Sequence, residues 1–428
     1  MGQTFTGLLK AVRARTGQSG TARTAPTAAL RLCGDYLEGL ATGGPLNDAR
    51  RTRLVAAIGG LTTACGSDED AFDALLRTGQ RALEAGGETE TRLALAVAVE
   101  ATALRSRSKG AWRLRASALD ALGRRDEAAQ AYERHLALQQ NPASAEDIAR
   151  RIATLKDLRS CLDEAAGLLP GEDGTRLRAL HNAPAGQVRT DFAEAVRRRT
   201  AAGGGMADPD VRRLNILYAA HRRLLDRDRL ADPLLGGAEP AGVGALRRLV
   251  AGRSVCLVAG APRIAGEESV PGSPLAGLID GYDLVVRCDT VPLTAPRTDL
   301  HAVTLRGDTP WTGPAWPRRT GTRLVFGDPL PHWRRSLRAR LVPGAQDRVG
   351  DASLRHPLDD PALLGEDGWG PGTGTAFTVL RLLDFLDTAD RLDLIGFGLP
   401  GQLQPRERAW VGDRATHQDD TEMRTALR

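Results

Sequence analysis

The chain has 428 residues, 42% hydrophobic and 26% charged, enough for two or three domains with cores of their own, and no run approaches the length of a membrane span. Its net charge is +5, but the basic residues are spread over the whole length, so no nucleic-acid stripe is marked out. Nearly all of the positive charge is arginine: the lysines are Lys10, Lys109 and Lys156, which removes a P-loop lysine, a Schiff base or a kinase-type strand lysine from the C-terminal half and leaves arginine, histidine and backbone amides to hold any phosphate there.

The five cysteines, at 33, 65, 161, 256 and 288, show neither a C-x-x-C pair nor metal-ligand spacing, so a reduced, cytoplasmic protein without a metal is expected. Heavy use of Ala and Arg with almost no Lys points to a GC-rich bacterial genome. Residues 1–46 read as an N-terminal extension whose apolar run is too short for a secretory signal.

From 47 to 232 apolar residues recur at three- and four-residue spacing, with Gly and Asn-Pro punctuation, which predicts a helical domain. Its clearest unit, 109–142, puts Trp112 and Leu119 on one helix against Ala128 and Tyr132 on the next, with Gly123 as the turn and small Ala116 and Ala128 allowing close approach. The unit resembles a tetratricopeptide repeat, with Arg115 where a leucine is usual and His135 where an alanine is usual. Stacked units of this kind leave a concave face suited to a protein partner. The turn-rich stretch 233–249 then reads as a linker.

The remainder, 250–428, changes period. Strand-like runs at 255–259, 284–287, 301–305, 323–326 and 392–395 alternate with helices expected at 332–341 and 375–389, predicting a mostly parallel α/β sheet covered on both faces, with ligands at the carboxyl ends of its strands. Gly260-Ala-Pro-Arg-Ile-Ala-Gly266 follows the first strand, so the backbone of Gly260 and Ala261 can approach a phosphate, with Arg263 as counter-charge. It is not a G-x-G-x-x-G fingerprint, which argues against a nicotinamide dehydrogenase. Gly372-Thr373-Gly374 opens the helix at 375–389 and offers free amides and one hydroxyl to an anion. Arg287 and Asp289 end the second strand; Arg287 serves either a ligand or a structural ion pair. His417 and Glu422 stand with four residues between them, a base and a carboxylate able to orient it.

In this order, the segments from 254 to 287, from 370 to 398 and from 417 to 422 resemble the L, S and very-short motifs of the sialyltransferases, glycosyltransferase family 29, over roughly 250–424. The resemblance implies a Rossmann-like, GT-A-like fold. It also implies an inverting, metal-independent transfer of an acidic sugar from a CMP-sugar to an acceptor hydroxyl, with His417 as catalytic base and Glu422 beside it. The nucleotide would then be held by Gly260, Ala261, Arg263, Arg287, Asp289, Thr373 and Gly374. The chain departs from the family at Gly260 and Asp289, where asparagines are usual, at Gly372, where a serine is usual, and in an aromatic third motif that is missing. Those departures keep open a second expectation, a catalytically degenerate nucleotide-binding domain on a helical interaction scaffold.

Overall fold

A computed structural model describes residues 2–17, 27–42, 48–66, 70–139, 142–226, 237–289, 297–304, 316–327, 333, 335, 337, 339–356, 358–370, 372–419 and 423–427. The chain divides into two compact units, Met1–Ser160 with Thr175–Val188, and Cys161–Gly174 with Arg189–Arg428.

The first unit is helical. It holds α1 (Gly2–Gly17), α2 (Thr27–Thr42), α3 (Ala49–Ala64), α4 (Phe72–Ala85), α5 (Glu88–Leu104), α6 (Lys109–Ala121) and α7 (Arg125–Ala137), while α8 (Pro142–Leu168) and α9 (Glu172–Ala179) contribute residues to both units. Local chemistry sets the ends. Asp48 caps α3 by accepting from the Arg50 amide at 2.8 Å, Ser108 caps α6 through the Ala111 amide, and Gly123, at φ 77°, turns the chain between α6 and α7. Leu54, Ile58, Leu61, Leu75 and Val97 are fully buried, and a side chain at Gly79 would strike Leu114, so α4 and α6 meet over bare backbone.

In the α6–α7 hairpin, Ala116, Leu119, Ala128 and Tyr132 are buried. Trp112 is half-buried instead, its indole donating to the Ser106 carbonyl at 2.8 Å. The unusual Arg115 lies over that ring and donates to Thr102 Oγ1, and His135 is a packed histidine with Nδ1 2.9 Å from the Lys109 carbonyl.

The second unit holds α10 (Ala185–Ala202) from Arg189 onward, α11 (Pro209–Leu225), α12 (Val243–Val250), α13 (Pro262–Glu268), α14 (Pro274–Asp280), α15 (Thr375–Leu386) and α16 (Pro405–Gly412). Among the described residues its strands are β1 (Glu239–Ala241), β2 (Ser254–Val258), β3 (Leu284–Cys288), β4 (Leu300–Thr304), β5 (Thr320–Phe326), β6 (Gln346–Gly350), β7 (Arg391–Ile395), β8 (His417–Gln418) and β9 (Arg424–Ala426). They form one mixed sheet in the order β1-β6-β5-β4-β3-β2-β7-β9-β8; all neighbours from β1 to β7 are parallel, and β9 runs antiparallel to both β7 and β8.

The central strands β2 and β3 are near-continuous apolar runs because both faces are covered. Odd-numbered positions of β2 (Val255, Leu257) join α11, α12 and α15 in one core; even-numbered ones (Cys256, Val258) join Ile264 of α13 and Ile279 of α14 on the other face. Glu239–Ala241 and residues 243–249, in the stretch 233–249 expected to be a linker, instead form β1 and most of α12, whose Val243, Leu246 and Val250 enter the first of these cores together with Ile216 and Ala219 of α11. Successive strands from β2 to β5 build outward on one side of β2, whereas β7 pairs on its other side. The direction of winding therefore reverses between β2 and β7.

Candidate functional site

In open parallel sheets a ligand crevice is expected at such a reversal, which here means the carboxyl ends of β2 and β7, with β3 beside them. Ala259 still donates to the Ile395 carbonyl at 2.9 Å, and the chain then leaves the sheet through Gly260, which is exposed with open space around it, and the buried Ala261. The loop after β7 presses on this one. Gly396 has φ 80°, and a Cβ there would lie 2.6 Å from Ile264 Cγ1 and 3.4 Å from the Ala259 Cβ, so only glycine keeps the two loops in register.

Asp289 closes β3 in the left-handed region at φ 53°, uncommon for a residue with a side chain. Its amide donates to the Ala302 carbonyl at 2.8 Å, and its carbonyl lies 2.8 Å from His301 Nε2. A carbonyl only accepts, so His301 carries its proton on Nε2 and receives the Arg323 guanidinium on Nδ1 at 2.6 Å. Arg323 is fully buried and bonds Gln346 Oε1 at 3.1 Å. Burial first, and then the Arg323 charge, pull the His301 pKa down to about 4, so the imidazole is neutral near pH 7. A buried relay from Gln346 through Arg323 and His301 thus fixes the backbone of Asp289, and the Asp289 carboxylate accepts from Thr375 Oγ1 at 2.8 Å.

Thr375 begins α15, and the start of that helix is already engaged. The Gly374 amide donates to Glu407 Oε1 at 3.0 Å; the other oxygen of this buried carboxylate accepts from the Gln404 amide at 2.9 Å as part of a capping box on α16. Gln404 Nε2 donates to the Gly372 carbonyl at 2.8 Å, and the Thr373 hydroxyl turns back to the Gly370 carbonyl at 2.7 Å. Behind the helix start, Glu366 accepts from Trp369, Trp410 and Arg381, and Phe377 packs edge-on against Trp410.

The residues expected from the sequence therefore separate. Asp289, Thr373 and Gly374 gather around the start of α15, and Gly260 and Ala261 lie in the adjoining loop after β2. Arg263 is exposed and pairs with Glu267 at 2.9 Å along its own helix. Arg287 is buried, ion-paired with Glu268, and donates from Nε to the Arg297 carbonyl at 3.0 Å, so its charge is spent inside the fold. His417 is exposed in β8, opposite Ala426 and four places from β3 in the sheet order. Glu422 lies outside the described residues. The expectation of free amides at the start of α15 is corrected at Gly374, because the N-cap amide meets a carboxylate.

Three further residues, Glu407, Thr375 and His301, take part in this corner. Glu407, three residues after Gln404 with Pro405 between, carries a helix-start spelling that was legible. Thr375 and His301 gave no signal beyond a polar residue at an element boundary or inside an apolar strand. Among the described residues, no group of three or more His, Cys, Asp or Glu is placed to hold a metal ion, and no helix is long and apolar enough to cross a membrane. No family model, curated protein or solved structure matches the chain.

Proposed function

We propose that the second unit is a Rossmann-like nucleotide-sugar domain that acts as a sialyltransferase-like glycosyltransferase, moving an acidic sugar from a CMP donor to an acceptor hydroxyl. One observation carries the reading: the winding of the sheet reverses between β2 and β7, and the loops beside that reversal are the ones whose sequence resembles the L and S motifs. In this reading the exposed Gly260 backbone and the Asp289–Thr375 pair line the nucleotide pocket. The acceptor oxygen attacks the anomeric carbon as the bond to the CMP phosphate breaks, and its proton passes to His417. The helical unit, with its tetratricopeptide-like hairpin, serves to bind a protein partner or acceptor.

A second reading is a domain that binds the nucleotide without turnover. The observation in its favour is the setting of His417, exposed on the edge strand β8, together with the Glu407 carboxylate at the Gly374 amide, which repels phosphate from the place where the resemblance wants it. Calorimetric titration of the full chain with CMP, CDP, UDP and NAD, followed by a transfer assay with CMP-sialic acid, separates the two. Saturable CMP binding lost in Thr375→Val, with transfer abolished by His417→Ala, supports the transferase. CMP binding with no transfer supports the second reading, and NAD binding without CMP binding overturns both.

A further inference from the structure

The second unit carries a concavity of about 560 Å³ lined mainly by arginine and small or apolar residues. Its polar wall consists of Arg223 of α11, Arg248 of α12, Arg253 immediately before β2 and Arg348 of β6, against one carboxylate, Glu239 of β1. The lining follows the edge strand β1, from Glu239 at its start to Arg223, whose guanidinium lies beside Gly242 just past its end, and takes in Arg253 before β2, so it shares no residue with the loops after β2, β3 and β7.

Four guanidinium groups around one cavity repel each other unless something offsets them. Little does. Arg348 Nε is 3.7 Å from Glu239 Oε2, with the two side chains 48% and 78% exposed, a pairing that contributes almost nothing in water. Arg248 and Arg253 are exposed and form no ion pair among the described residues; Asp283, the carboxylate that feels the Arg253 charge, is bonded instead to the amide and hydroxyl of Ser254.

Arg223 differs, being fixed in place. Its Nε donates at 2.8 Å to Asp351, a buried carboxylate that also accepts from the Ser353 amide and hydroxyl. Gly242 completes the seat, since any side chain there would collide with the guanidinium. With Nε held from behind, the terminal nitrogens of Arg223 are presented by a rigid support, the arrangement that gives planar, two-pronged recognition of phosphate.

We propose that this cavity is a binding site for the phosphates of an organic diphosphate, independent of the nucleotide-sugar reading. The class follows from the lining. Several guanidinium groups on separate elements exceed what a single phosphate can engage, and the volume leaves room for an organic part against Leu249 and Pro240.

Inorganic pyrophosphate is the probe, titrated calorimetrically into the full chain at about 0.15 M salt, where weak surface attraction is largely screened. One saturable site is expected. Arg248→Gln and Arg253→Gln, both at exposed positions, each weaken it by about tenfold or more and together abolish it, with an unchanged melting temperature. Arg263→Gln, on the crevice side, leaves it unaltered, and the cavity variants leave CMP binding unaltered. Absence of saturable binding overturns the proposal, and so does binding that survives the double variant or is lost in Arg263→Gln. Tighter binding of a DNA duplex that competes pyrophosphate away overturns it in favour of a nucleic-acid surface.

Discussion

Asp289 combines a left-handed backbone, a carbonyl held by a buried histidine and a carboxylate held by Thr375. Asn tolerates that backbone as readily as Asp, so Asp289→Asn should change stability by less than about 1 kcal/mol. It also removes a negative charge from the crevice, and CMP affinity should rise by a few-fold if a phosphate lies nearby. An unchanged or lower affinity in the titration would place the phosphate elsewhere. Asp289→Ala loses both the local hydrogen bond and the tolerance, at a cost of about 2 kcal/mol in denaturant unfolding.

His301 makes the same corner sensitive to acid. The unfolded imidazole takes up a proton near pH 6.5, the folded one only near 4. Unfolding therefore binds a proton between those values, and this contribution to stability is complete above pH 6.5 and is lost as the pH falls toward 4, with a ceiling of about 3 kcal/mol. Urea midpoints measured at pH 7 and pH 5 should fall in the wild type. A His301→Gln variant, less stable at pH 7, should show a smaller fall. Equal falls in the two proteins would mean that other groups carry the acid response.

At the scale of elements, the junction between α15 and α16 rests on Glu407, which accepts from amides at the starts of both helices. A buried carboxylate at two positive helix ends is favourable for both, and Glu407→Ala leaves those amides without it. The variant should lose about 2–3 kcal/mol in denaturant unfolding, with Glu407→Gln intermediate because one amide can keep an acceptor. A loss below about 0.5 kcal/mol would show that water replaces the carboxylate at no cost.

The elements themselves were unequally legible. The runs of Val, Leu and Ile in β2, β3 and β7 announce buried parallel strands, and Asp387, left-handed at φ 48°, ends α15 a little before the expected 389. By contrast β6 reads Gln-Asp-Arg-Val-Gly, and its strand character comes from pairing with β5 and β1 rather than from propensity. The two-residue β8 and three-residue β9 are too short to carry a period at all. Site legibility follows the same division. Gly260, Thr373 and Gly374 stand out as loop glycines and hydroxyls before helices, whereas what occupies the Gly374 amide is a residue more than thirty positions away. Spacing along a chain reports which groups are near a helix start, not which partner they have found.

For the whole molecule, the placement of α11 decides where the chain can be cut. Composition suggests a border near 232, but Ile216 and Ala219 of α11 belong to the core of the sheet, and Arg223 holds Asp351 after β6. A fragment of residues 233–428 would expose the apolar surface those residues cover and strand Asp351, a buried carboxylate, without its cation. A fragment of residues 189–428 keeps all three. Expressed side by side, the longer piece should unfold cooperatively in a thermal melt. The shorter one should aggregate, or melt at least about 10 °C lower, since losing a buried ion-pair partner and part of a core removes several kcal/mol. Matching melting curves for the two fragments would mean that α11 adds nothing to the sheet, and that the unit begins at β1.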